Sequence, residues 1–458
     1  MIAQPRIPTI RRTLVVLVVG LCLLGAQPAR AAEADPDHRR TLGLVAAYER
    51  APNWVVKALA LMSLGERWHP AGNAIVLDAL RSKDKRLRAF GLEAYRGTAP
   101  ENVPVLFTQE VLDELIGKQL KEKNKFFRSE AKRLLMKTFP KQQEGWGTWW
   151  DAARETYTPP AWQDRAPPKK EAGHDTVARK SVVTRALELS QDGIELVLVI
   201  DSTGSMQPTI DAARKAMSPV IDVLQGLTSD LRIGLVHYRD RMDLGGGKAE
   251  HAGAKVLCKL STNVRKVQRK LDGLKADGGG DIPERVYGGL WLATHREMGW
   301  SLPASKMVVV IGDAPPHRED VKPTIDLAKE AREHPAWILA RKRKGPPPVV
   351  TGGYLGSGKK KVRVRPIFTS TFWTGPDPGK EGRHKIYAEY AEGARHFESI
   401  AEAGGGVFAV LKRRGNPKES SATIVTHLIG LTFGVEHQDA AKRLAERYIH
   451  WKRVGYIK

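Results

Sequence analysis

Cysteine is almost missing from this chain, with Cys22 and Cys258 the two among 458 residues. Disulfide scaffolding is therefore excluded, and so is a zinc site built on clustered thiolates. The apolar run "TLVVLVVGLCLLGA", 13–26, is too short for a comfortable membrane span. Carboxylates are scarce beside cations: 51 Asp and Glu face 74 Lys and Arg, for a formal charge of +23. The "GGGD" stretch lacks the lysine and hydroxyl pair that follow a phosphate-cradling loop, and no nucleophile elbow signals a serine hydrolase.

What is present begins with a basic start, Arg6, Arg11 and Arg12, ahead of that apolar run, with the small residues "ARA" at 29–31. This pattern predicts a signal peptide over 1–31, cleaved before Ala32, and a periplasmic or extracellular protein. Cleavage takes four arginines, no acids and Cys22, leaving Cys258 in "KVLCKL" as a small core residue of a strand.

From 40 to 157 apolar residues recur three and four apart, as in "NWVVKALALMSL", which predicts helices. "KDKRLRAFGLEAY" from Lys83 and "KNKFFRSEAKRLL" from Lys123 match at an offset of 40. A helix pair recurring at this spacing resembles HEAT-type repeats, which implies a short all-α stack with a protein-binding surface. The tryptophans of "GWGTWWDAARETY" read as an aromatic cap on its last helices. Residues 158–179, rich in proline and charge, read as a linker.

From 180 to 435 buried strands alternate with amphipathic helices, which predicts an α/β fold: a doubly wound, mostly parallel sheet with helices on both faces. "AKVLCKLS" reads as an edge strand. The basic stretch 341–365 reads as an inserted surface loop, and 436–458 as a basic C-terminal helix or tail.

Ligand sites in such sheets lie beyond the carboxyl ends of the strands. "LVLVID" ends there at Asp201 and "MVVVIGD" at Asp313, while "ADGGGDIPERV" carries Asp281 on a glycine-rich loop. Three carboxylates at one sheet edge repel unless a cation sits among them. Thr203 and Ser205 add neutral oxygens, a set suited to a hard divalent ion, magnesium first with calcium or manganese as alternatives. Asp240, in "HYRDR", ends the neighbouring strand as a candidate to orient a metal-bound water. His317, two prolines past Asp313 in sequence, reads as surface.

These four motifs, "DSTGS", "YRD", "GGGDIPE" and "GDAPPH", resemble those of a von Willebrand factor type A (VWA) domain with its metal-ion-dependent adhesion site. The resemblance implies Asp201, Thr203, Ser205, Asp281 and Asp313 as metal ligands. It also implies a non-enzymatic, cation-dependent adhesion or scaffold module for an unidentified protein ligand. The chain departs from the usual pattern at Asp281, where a threonine is expected. A third acid would neutralise a divalent ion more fully and weaken its pull on an acidic ligand.

Two other functions are weighed. The strand ending in "DST" resembles phosphatases of the haloacid dehalogenase type, but Thr203 stands where their general acid belongs. A metal-dependent phosphoester hydrolase is thus the weakest reading, and no catalytic residue is assigned. The excess charge, concentrated in 341–365, would suit an anionic polymer or membrane surface. No specific nucleic acid is expected.

Overall fold

The structure is a computed structural model that describes residues 36–98, 103–142, 144–162, 181–240, 252–279, 282–340, 350–351, 354–355, 362–377, 385–411 and 417–457. The expected signal peptide 1–31 lies outside the described residues, as do most of the expected linker and of the stretch 341–365. No described helix is long and apolar enough to cross a membrane.

The first part of the chain is helical. It runs through α1 (Pro36–Arg50), α2 (Trp54–Glu66), α3 (Asn73–Arg81), α4 (Lys85–Gly97), α5 (Val103–Leu106), α6 (Gln109–Gly117), α7 (Lys125–Thr138) and α8 (Trp146–Ala153). α4 and α7 start alike. The carboxylate of Asp84 accepts from Arg86 N at 2.8 Å, and the Asn124 carbonyl oxygen accepts from Phe126 N at 3.0 Å. Each satisfies one orphan donor at its helix N-terminus, so the offset of 40 in sequence recurs as a local structural signal. α2 and α4 pack closely enough that a Cβ on Gly65 would sit 2.6 Å from the Ala94 carbonyl oxygen. The tryptophans of α8 cap this part: Trp146 and Trp150 are buried, and Trp150 Nε1 donates to Asp113 Oδ1 at 2.8 Å.

The second part is α/β. Its elements are α9 (Val182–Asp192), β1 (Ile194–Asp201), α10 (Gln207–Gln225), β2 (Leu231–Tyr238), β3 (Ala254–Ser261), α11 (Val264–Asp272), α12 (Val286–Thr294), β4 (Ser305–Gly312), α13 (Arg318–Glu333) and α14 (Pro335–Ala340). Then follow β5 (Val350–Thr351), β6 (Tyr354–Leu355), β7 (Val362–Arg363), β8 (Ile367–Trp373), α15 (Lys385–Ala403), β9 (Gly405–Val410), α16 (Pro417–Phe433) and α17 (Gln438–Arg453). Six strands form one sheet in the order β3-β2-β1-β4-β8-β9. All neighbours are parallel except β3, which lies antiparallel on the edge beside β2. Cys258 is buried on that strand.

This doubly wound sheet has two apolar faces because its central strands alternate only in which core they enter. Leu196, Leu198 and Ile200 of β1 join one buried cluster with residues of α10, α11 and α16. Val197 and Val199 join another with residues of α12, α13 and α15. Burial on both faces is why β1 reads as a continuous apolar run.

The stretch 341–365 reads in the sequence as an inserted surface loop, and its described residues include three short strands. β5, β6 and β7 pair antiparallel within it as a small three-stranded sheet. Val350 and Val362 are β-branched, and Gly352-Gly353 is a turn dipeptide in the sequence. Polarity masked that signal.

The helical and α/β parts share one core. Asn53 Nδ2 donates to Leu227 O at 2.8 Å, and Val55 N donates to Gly226 O at 3.1 Å. The Trp54 indole lies directly over Gly226, where any Cβ would collide with it. α17 completes the joint. Its Tyr448 ring lies 5.4 Å from Trp54, its Trp451 ring lies 4.8 Å from Phe90, and Tyr456 just beyond it stacks on Phe126 at 4.1 Å.

Candidate metal centre at the carboxyl edge of the sheet

β1 delivers Asp201 to the edge of the sheet with its side chain fully buried. The next residues turn back on it. Thr203 N and Thr203 Oγ1 both donate to Asp201 Oδ1, at 2.9 and 2.7 Å. Asp201 Oδ2 makes no hydrogen bond of ordinary length among the described residues, although it is buried. A Cβ on Gly312 would collide with the Tyr238 hydroxyl and lie 3.5 Å from this oxygen, so only glycine lets β4 approach here.

Asp313, the first residue past β4, is buried beside Asp201. Burial first, and the Asp313 carboxylate second, push the Asp201 carboxyl from 3.8 up to about 7. The groups that pull it back are the Thr203 backbone and hydroxyl and the Asp313 backbone, with no lysine or arginine among them. The charge of Asp201 is therefore not offset by a basic side chain.

A second loop closes over the first. Asp277 N donates to Ser202 O at 2.9 Å, and Gly204 N donates to Gly278 O at 3.1 Å. Gly278 and Gly279 take φ of +74° and +87°, values open to glycine at little cost. A Cβ on Gly279 would lie 3.1 Å from the Thr203 Cβ. Asp281 lies outside the described residues, two positions past Gly279 in the chain. Ser205 is exposed, in the 3-10 turn Gly204–Met206.

The sequence reading missed Glu284. This residue is 2% exposed, and its backbone N donates to Pro315 O at 2.9 Å, which fastens it beside the end of β4. Together with Asp201 and Asp313 it holds the buried Tyr238 hydroxyl well above its ordinary pKa, behind burial as the first cause. An acid just before a helix reads as an ordinary N-terminal residue. Its burial comes from a tertiary contact that no local pattern carries.

At the rim, His317 Nε2 lies 3.2 Å from Asp240 Oδ1. The surface reading of His317 is corrected: its side chain is 14% exposed and tied to the β2 end. Behind the first loop, Ser202 Oγ lies 2.9 Å from His237 Nδ1 and accepts from Arg239 Nε at 3.1 Å. Burial first, then Arg239 and Lys255, lower the His237 pKa to about 4, so the ring is neutral near pH 7.

The structure thus gathers Asp201, Thr203 and Asp313, sets Ser205 on the same turn, and puts Asp240 at the rim. Among the described residues no group of three or more His, Cys, Asp or Glu side chains is placed to hold a metal ion. A donor set here would rest on two carboxylates and hydroxyl oxygens, with Asp281 beyond the description. The buried Asp201 Oδ2, without a hydrogen bond of ordinary length, and the lack of a basic side chain acting on Asp201 fit a hard cation with oxygen ligands.

No protein-family model and no curated protein matches the chain. Two solved structures are similar in part. One is the conserved hypothetical protein BatB from Bacteroides thetaiotaomicron, 15% identical, with a TM-score of 0.31 over 52% of this chain and 97% of that one. The other is the VWA domain of SpRpn10, 11% identical, with a TM-score of 0.31 over 50% and 94%. At this level of likeness the description of the fold rests on the strand order above.

Proposed function

We propose that this chain is an exported, non-enzymatic binding module of the VWA type, whose grip on a protein partner depends on a divalent cation. One observation carries the reading: the buried Asp201 carboxylate stands beside a second buried carboxylate, Asp313, and no basic side chain is among the main groups that act on it. Such a pair costs free energy unless a cation joins it. Asp201, Thr203, Ser205 and Asp313 would hold the ion, with Asp281 as the further carboxylate. The ion would supply charge neutralisation and a coordination position for a partner's oxygen atom.

The chain's own residues prepare that role. Thr203 fixes Asp201 Oδ1 through two hydrogen bonds. Arg239 and His237 hold Ser202, and with it the turn that exposes Ser205. The Ser202 hydroxyl is fully buried, so its contact with His237 shapes the loop and does not present a nucleophile. The helical part offers a second surface of the HEAT type.

Calorimetric titration of the full chain with Mg2+ tests the reading. Binding that disappears in Asp201→Ala, together with a partner from envelope extract that is lost with both the variant and chelator, is expected. Absence of any Mg2+, Mn2+ or Ca2+ binding by the folded chain would overturn it.

A further inference from the structure

Some of the basic side chains of this molecule pair with acids. In the helical part Arg88 pairs with Glu122, Arg96 with Glu93 and Glu130, and Lys118 with Glu114. α11 concentrates cations with no such pairing. In nine residues it carries Arg265, Lys266, Arg269 and Lys270, all exposed, and none forms an ion pair among the described residues. Lys255 and Lys259 stand exposed on the edge strand β3, against which α11 packs, and are likewise unpaired. The acid of this helix, Asp272, accepts from Gln268 Nε2 at 2.7 Å.

The pattern has a local cause and a geometric result. Val267 and Leu271, one turn apart, bury the inner face of α11. The cations at 265 and 269, and at 266 and 270, are then also one turn apart, roughly 6 Å along the axis. They form two parallel rows on a convex surface. Like charges so arranged repel one another and destabilise an isolated helix. Lysines on an edge strand also guard against strand-to-strand pairing, but that accounts for β3 alone, because α11 has no such edge to protect.

We propose that the outer face of α11, with Lys255 and Lys259 of β3, binds a linear polyanion: a flexible chain with a negative charge every few ångströms. Two features favour a chain over a bilayer or a base-stacking nucleic acid. Residues 252–279 contain no Phe, Trp or Tyr, so nothing on the ridge stacks on bases. Its leucines at 260, 271 and 274 are buried and Leu257 is half-buried against the core, so no large apolar side chain stands exposed to enter a headgroup layer. The surface reads charge and spacing only. It lies apart from the stretch 341–365 in sequence and needs no cation at Asp201.

The test uses the full chain and labelled long-chain inorganic polyphosphate, titrated at several NaCl concentrations with chelator present. Wild type binds, with log K falling linearly against log salt. Combined Arg265→Gln, Lys266→Gln, Arg269→Gln and Lys270→Gln lowers affinity at least about tenfold and flattens the salt slope, with the melting temperature unchanged. Should this variant melt early, the pairs Arg265→Gln/Lys266→Gln and Lys255→Gln/Lys259→Gln each show a smaller loss of the same kind. Unchanged affinity and slope in the folded variants would overturn the proposal. So would failure of polyphosphate to bind while vesicles containing phosphatidylglycerol do.

Discussion

The two ends of β1 handle buried acid in opposite ways. At the amino end Glu195 is 1% exposed, and cations surround it. Arg232 on β2 pairs with it directly, Ser301 N donates to both its oxygens, and Lys306 sits beside it in register on β4. At the carboxyl end Asp201 is as deeply buried, has the buried Asp313 beside it, and receives no such help. One strand thus carries a compensated acid, Glu195, and six residues on an acid, Asp201, that no basic side chain offsets. At the other edge Arg239 bonds Ser202 and Arg285 pairs with Asp320, and neither is among the groups that act on Asp201. That contrast, more than the presence of acids, marks the carboxyl edge as a place for something supplied from outside.

The comparison breaks most readily at the compensated end. Glu195→Ala strands Arg232 and Lys306 and should cost about 3–5 kcal/mol of stability, measured by chemical denaturation. A loss below about 1 kcal/mol would mean that the triad is not a structural pair at all.

At the other end the sign reverses. The Asp201 carboxyl has a raised pKa, so its contribution to apo stability is full below about pH 4 and is lost as pH rises through about 7. Asp201→Asn should therefore stabilise the metal-free protein near pH 8, by on the order of 2 kcal/mol. Thermal melts of wild type and variant across pH 4 to 8 check this, and equal pH slopes would contradict it.

Magnesium should act in the same window. At a hundredfold excess over its dissociation constant it adds about 2.7 kcal/mol to the wild type. This gain fades as pH falls below about 7, because a proton then occupies the ligand. Asp201→Ala should show none of it. Asp240→Asn removes the carboxylate charge that faces His317 at the rim and should weaken the ion about tenfold, read by titration calorimetry.

The smallest effect belongs to Lys306. Burial pulls its ammonium down to about 8 against the opposing pull of Glu195. Lys306→Met keeps the Glu195–Arg232 pair and should change stability by less than about 1 kcal/mol at pH 7.

Some of this was legible before any coordinates. Apolar runs that end in an acid placed Asp201 and Asp313, because buried parallel strands leave little choice of composition. The edge strand β3 showed itself through alternating charge. The remainder depends on contacts between segments. Glu284 is buried by its bond to Pro315, which no spacing encodes. The Glu195–Arg232–Lys306 cluster requires the register of three strands at once. α17 reads as a basic helix or tail on composition, and its docking on both parts escapes notice because Ala441, Leu444, Ala445, Tyr448 and Trp451 form a single stripe among charges.

That stripe has a consequence for how the molecule is assembled. Arg443 of α17 reaches Glu66 across 377 positions of chain, and its rings complete the packing around Trp54 and Phe90. Loops of that length close slowly. Neither half can finish its interior by itself, so a protease cut between Trp162 and Ser181 should yield two fragments that stay together and melt in one cooperative step.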